Sequence, residues 1–214
     1  MPDWKFLYEK YVQRKHRPFT EKAVVKTLKQ CRGRLFVDVG ANLGFYSILL
    51  KNHFEEIYAF EPNQAHFLKW KEKPPNVKFF PYALCDRNGS ADLYLGTGTG
   101  SHDTLLPVFD YNPGNYPSAT GPKRYEGGRQ VTVEARSYDS FGFPDADLVK
   151  IDVEGAEREV LKGMVGSLES KRVRSVMIEV HNLDWTEEII RLLKNYGFRV
   201  KVIDGHPHLF GVIS

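Results

Sequence analysis

Hydrophobic positions along the chain fall into short runs, separated by glycine or proline turns and by stretches with helical spacing. Trp4 to Arg14 and Glu21 to Gln30 have the helical pattern, with Pro18 between them and Gly33 as the break that follows. Leu35-Phe36-Val37 opens a strand, Asp38 to Gly44 turns, and Phe45 to Leu50 continues as helix. Glu55 to Phe60 is a second strand. The helix predicted from Gln64 to Lys73 is stopped by Pro74-Pro75, and Val77 to Tyr82 is a third strand. This β-α-β-α-β order is what right-handed crossovers build into half of a parallel sheet. Ala91 to Leu95 and Gln130 to Ala135 read as short strands, and Ser137 to Phe141 as a helical turn. Asp147 to Val153 is a fourth core strand, followed by a helix over Ala156 to Lys162. Arg174 to Val180 is a fifth strand, and Trp185 to Tyr196 is an amphipathic helix that Gly197 terminates. Phe198 to Ile203 and His208 to Ile213 flank Asp204-Gly205, a hairpin signal. The expected fold class is α/β: a mostly parallel sheet with an antiparallel C-terminal edge hairpin and helices on both faces.

The 214 residues fit one domain. Residues 1–34 are expected to form a helical segment packed on a core that spans 35–214. Within that core, residues 96–129 have no sustained period. They hold seven glycines and four prolines, interleaved with Tyr111, Tyr116 and Tyr125. A loop this long in a compact domain reads as a flap facing a substrate.

Charge changes the picture only locally. The net +3 is too small to argue for a nucleic-acid partner, but residues 1–34 carry ten Lys/Arg against three acids, so the remainder is net negative. No apolar run approaches the roughly 20 residues needed to span a bilayer. MPDWKFLYEK lacks the apolar segment of a signal peptide. Two cysteines, Cys31 and Cys85, make neither a disulfide framework nor a metal knuckle, and a reducing, cytoplasmic setting is expected.

The candidate chemistry sits at the strand ends. The turn after the first strand is D-x-G-x-N-x-G (Asp38, Gly40, Asn42, Gly44). Its glycines permit positive φ and close backbone approach, and the helix that follows points free N–H groups at a ligand. It lacks the third glycine of the dinucleotide fingerprint G-x-G-x-x-G. Glu61, followed by Pro62, ends the second strand where an acid accepts hydrogen bonds from ribose hydroxyls. Asp86 leaves the third strand near the expected adenine position, and serves equally as a turn residue with Asn88-Gly89. Strand alternation puts Lys150, Asp152 and Glu154 on one face of the fourth strand, and Glu179 and His181 on one face of the fifth. Charges on a central parallel strand are costly unless paired or functional. Asp152, Glu154 and His181 are the candidate bases, and Lys150 reads as the neutralising partner of a carboxylate. Carboxylate and imidazole also suit Mg or Mn, with Asp152, Glu179 and His181 as the ligand set.

FVDVGANLGFYS, AFEPN, ALCDRNGSADLYL, LVKIDVEGAEREVLKGM and MIEVH follow one another over residues 35–181. Together they resemble the FkbM family of class I S-adenosylmethionine-dependent methyltransferases, with K-I-D-V-E-G-A-E the most distinctive run. The resemblance implies a Rossmann-like class I methyltransferase sheet and S-adenosylmethionine as cofactor. Asp38, Gly40, Asn42, Gly44, Glu61, Pro62, Asp86 and Asp152 would line its site, with Asp38 facing the cationic amino group. It also implies O-methylation of a sugar, glycan or small natural-product hydroxyl. Two other readings are a nicotinamide-dependent oxidoreductase, which the missing third glycine argues against, and a non-catalytic cofactor-binding module. Binding of S-adenosylhomocysteine without response to NAD separates the first from a methyltransferase.

Overall fold

Alternation along the first strand decides which layer each side chain joins. The computed structural model describes residues 20–96, 103–105, 129–203 and 208–213. In it, β1 (Gly33–Val39) sends Leu35, Val37 and Val39 into one apolar layer and Phe36 into the other. The layer under Phe36 is covered by α1 (Thr20–Leu28), whose Val24 and Leu28 are fully buried there. The N-terminal helix expected over Trp4 to Arg14 lies outside the described residues, as does most of the expected flap.

The main sheet adds β2 (Phe54–Phe60), β3 (Val77–Phe80), β7 (Leu148–Ile151), β8 (Ser175–Glu179), β9 (Phe198–Ile203) and β10 (His208–Ile213), in the order β3-β2-β1-β7-β8-β10-β9. All neighbouring pairs are parallel except those of β10, which runs antiparallel to both β8 and β9. The expected hairpin is therefore present, with β10 inserted inside the sheet and β9 left at the edge. Helices α2 (Phe45–Leu49) and α3 (Gln64–Leu68) follow β1 and β2. On the other face, α4 (Glu157–Lys162), α5 (Val165–Glu169) and α6 (Thr186–Asn195) bury Val160, Leu161, Leu168, Ile189 and Leu193 against Val37, Val149 and Ile178.

Three departures from the sequence reading have local causes. The third strand ends at Phe80 rather than Tyr82, because Pro81 has no N–H to continue a ladder. The chain then switches to a small second sheet made of β4 (Ala83–Leu84), β6 (Gln130–Arg136) and β5 (Gly89–Tyr94), in that order. The helix after β2 stops at Leu68 instead of Lys73, since Trp70 turns inward and donates its Nε1–H to the Asn42 carbonyl at 2.7 Å. Helix α5 has no sequence signal of its own. Its first turn is capped from a distance by Asp139, which accepts from the N–H groups of Gly166 (2.7 Å) and Ser167 (3.0 Å).

Candidate active site

Strand order reverses between β1 and β7, and in open α/β sheets ligands bind at the carboxyl ends of the strands at such a switch point. Asp38 and Lys150 are register partners across these two strands, and both are buried. Lys150 Nζ lies 2.9 Å from Asp152 Oδ2 and 4.3 Å from the centre of the Tyr46 ring. Burial opposes the Lys150 charge, but Asp152 and Asp38 outweigh it and hold the ammonium more firmly protonated than usual. Asp38 Oδ2 accepts from the Ser47 hydroxyl at 2.7 Å. Its Oδ1 is buried without a hydrogen-bond partner among the described residues. Burial pushes the Asp38 carboxyl above its ordinary range, with Lys150 and Ser47 opposing.

The glycine turn is fixed by contacts on both sides. Gly40 has φ +78°, and a Cβ there would fall 1.9 Å from the Asp152 carbonyl oxygen, so the turns after β1 and β7 touch at a point that excludes any side chain. Gly44 also has φ +78°, but its missing Cβ makes room for the Trp70 ring, 2.4 Å from where that atom would be. Packing of Trp70 therefore requires a glycine here as much as the positive φ does. Asn42, at φ 47°, donates its N–H to Glu61 Oε2 at 2.9 Å, and Glu61 Oε1 accepts from Asn63 N–H at 2.9 Å. Glu61 is 4% exposed and faces the turn that its position in the chain suggests. Pro62 joins it to Asn63, which caps α3 by accepting from Ala65 N–H at 3.2 Å. Asp86 is on the exposed turn before β5, with Oδ1 2.9 Å from Arg87 Nη1.

The second half of the site is a cluster around His181. Strand β7 ends at Ile151, so Glu154 does not arrive by pleat alternation as the sequence suggested. It is carried on a tight turn in which Glu154 has φ 54° and Gly155 φ 113°. A non-glycine residue in the left-handed region costs about 1 kcal/mol or more and marks a place where the backbone is held for its side chain. From that turn Glu154 Oε2 reaches His181 Nε2 at 3.4 Å. Asp152 Oδ1 and Glu179 Oε1 are each 3.8 Å from the same nitrogen. The four side chains picked out in the sequence thus lie together. Two further residues were missed. Glu157, fully buried at the start of α4, accepts from Gly155 N–H at 2.8 Å and lies 2.8 Å from His181 Nδ1. His208, paired in register with Glu179, places Nε2 3.2 Å from Glu179 Oε2. Glu157 had a signal, being the second acid of E-G-A-E at the first turn of a helix. His208 had none until the hairpin register was known.

Electrostatics follow from this packing. Burial acts to discharge His181, but Glu154, Glu157 and Glu179 outweigh it and hold the imidazole protonated well above its ordinary range. Burial likewise raises Asp152, against the Lys150 charge. One donor atom each from Asp152, Glu154 and His181 falls within a 4.8 Å group, a spacing that can hold a cation. Glu154 takes the place that the sequence reading gave to Glu179, which contacts His208 as well.

The methyltransferase FkbM domain model matches residues 38–200, beginning at Asp38 and running through the His181 cluster. The chain belongs to the FkbM methyltransferase family. It is 30% identical over 194 residues to methyltransferase sdnD of Sordaria araneosa, covering 77% of this chain and 73% of that one. It is 29% identical over 160 residues to hexuronic acid methyltransferase AglP of Haloferax volcanii, covering 73% of this chain and 59% of AglP. The crystal structure of methyltransferase FkbM from Methylobacillus flagellatus superposes with a TM-score of 0.57 at 14% identity, over 84% of this chain and 43% of that one, which is a likeness of fold. As an FkbM methyltransferase the chain uses S-adenosylmethionine as methyl donor. The buried, unpartnered Asp38 Oδ1 beside the glycine turn fits a cofactor that carries a cationic amino group.

Proposed function

We propose that this FkbM methyltransferase transfers a methyl group to a hydroxyl of a sugar, a glycan or a small natural product. His181 serves as general base. The observation that carries the reading is His181 itself, held through Nδ1 by the buried Glu157 carboxylate while Nε2 faces Asp152, Glu154 and Glu179 where β7 and β8 end. The hexuronic acid named for AglP supports a carbohydrate acceptor.

When bound, S-adenosylmethionine supplies a methyl group on a sulfonium, which a hydroxyl oxygen takes by displacement. Asp38, Gly40, Asn42, Glu61 and Pro62 would hold and orient that cofactor, with Asp38 toward its amino group and Glu61 toward its ribose. A sugar hydroxyl is a weak nucleophile near neutral pH and needs a positioned acceptor for its proton. Glu157 fixes the imidazole through Nδ1, so Nε2 is the atom that takes the proton, once pH has risen through the raised value of the ring and Nε2 has given up its own. Asp152 and Glu154 stabilise the imidazolium that results, and Lys150 keeps Asp152 in place.

The grouping of Asp152, Glu154 and His181 supports a second reading, in which these residues hold a divalent ion such as Mg or Mn that lowers the pKa of the hydroxyl. Glu179, from the set first expected, would support it from behind. The unbonded thiols of Cys31 and Cys85 support a cytoplasmic setting. No described helix is long and apolar enough to cross a membrane. Incubation with labelled S-adenosylmethionine and a panel of glycan and small-molecule acceptors tests the function. Label in a hydroxyl-bearing acceptor is expected, and a protein that binds S-adenosylhomocysteine but methylates nothing in the panel would argue for a non-catalytic module.

A further inference from the structure

Behind the Glu61 turn lies a second polar group that neither the glycine turn nor the His181 cluster explains. His66, on α3, is 2% exposed and lies between two acids. Its Nδ1 is 3.5 Å from Glu61 Oε1 and its Nε2 is 3.6 Å from Asp103 Oδ2. Asp103 belongs to the segment after β5, yet its side chain is only 5% exposed. Its Oδ2 accepts from Asn63 Nδ2 at 2.8 Å, and its Oδ1 accepts from Gly96 N–H at 2.9 Å. The next residue, Thr104, exchanges two backbone hydrogen bonds with Tyr94 at 2.8 and 3.0 Å. These bonds fix the return of the chain onto the end of β5.

We propose that Asp103, acting through Asn63 and His66, is a positioning residue for the ribose-binding carboxylate of Glu61. Asn63 is the link. Its backbone N–H holds Glu61 Oε1, its side-chain oxygen caps α3, and its side-chain NH₂ is held by Asp103. The turn that aims Glu61 is thus held from below by α3 and from above by a residue more than 30 positions further along. A buried donor that loses its acceptor is costly, so the turn will rearrange rather than leave Asn63 Nδ2 and Gly96 N–H unpaired. Rearrangement of Asn63 rotates Glu61, and the cofactor pays for it in affinity.

The inference rests on Glu61 as the ribose acceptor, and the test separates the two. S-adenosylhomocysteine binding is measured by calorimetry, with the thermal midpoint recorded for every variant. Glu61→Ala, Asp103→Ala and Asp103→Asn are each expected to raise the dissociation constant about tenfold or more. The exchange Asn63→Asp with Asp103→Asn restores a donor facing an acceptor while residue 63 keeps a capping oxygen. That pair is expected to return affinity to within about threefold of the parent, a rescue that general destabilisation would not give. Normal affinity in both Asp103 variants, with Glu61→Ala weakened, overturns the inference and leaves Glu61 in its role. Weakened binding that tracks a lower thermal midpoint and is not rescued by the exchange reduces Asp103 to a structural residue, and also overturns it. Unchanged affinity in Glu61→Ala removes the premise itself.

Discussion

In the proposed mechanism the chemistry of His181 depends on Glu157, and the burial of that carboxylate makes the dependence testable. The carboxylate is fully enclosed, and it meets both the Gly155 N–H and the imidazole Nδ1. Deleting one partner of a buried ion pair costs about 3–5 kcal/mol. Glu157→Gln keeps the shape and removes the charge, and is therefore the informative change. With one carboxylate fewer, the imidazole binds its proton less tightly. The pH–rate profile of Glu157→Gln is expected to move to lower pH than that of the parent, with a lower plateau because the ring is less firmly oriented. A superimposable profile would remove Glu157 from the base. The parent carries its own pH signature. Since His181 is raised in the folded protein, its ion pairs contribute stability that is fully present below the ordinary imidazole value of 6.5 and is lost as pH rises through the folded value. Over that same window the base becomes available, so turnover should rise as the denaturation midpoint falls. His181→Ala should flatten the stability part of this dependence, which urea titrations across pH will check.

Among the elements, the two turns that leave β1 and β7 act as one unit. Gly40 packs so closely on the Asp152 carbonyl that Gly40→Ala must either push the turns apart or unfold the first turn of the motif. Both the clash and the φ of +78° oppose the alanine, and a loss of at least about 2 kcal/mol in stability is expected, together with loss of S-adenosylhomocysteine binding. Retained stability in denaturant would contradict the contact. Much at this scale was legible in the chain. Short apolar runs, paired glycines and Pro74-Pro75 placed the strands and the turn, because local patterning alone sets them. What was not legible is held by partners distant in sequence. The early end of α3 follows from Trp70 reaching under Asn42, and α5 exists because Asp139 caps it. The backbone of Glu154 departs from the pleat because Gly155 and Glu157 bend the chain there.

For the molecule as a whole, strand order determines what can meet. β7 lies between β1 and β8, which brings Asp38 beside Lys150 and the end of β7 beside the end of β8. The β10 insertion then brings His208 to Glu179. The chain's pattern set the order of elements and the charged residues at the ends of β7 and β8, but not the small second sheet, which needs pairing between residues 89–94 and 130–136 across a long connection. Three separate chain segments therefore bring four carboxylates and the imidazoles of His181 and His208 together, and the central claim is that the His181 imidazole takes the acceptor's proton. The direct measurement is turnover of His181→Ala on the acceptor that the panel identifies, in the presence and absence of a chelator, beside its affinity for S-adenosylhomocysteine. A loss of roughly 10²–10⁴-fold in turnover is predicted, with cofactor affinity nearly unchanged and the parent enzyme indifferent to the chelator. A His181→Ala enzyme with full turnover and no sensitivity to chelator would contradict both the base and the metal, and would pass the role to Asp152 or Glu154.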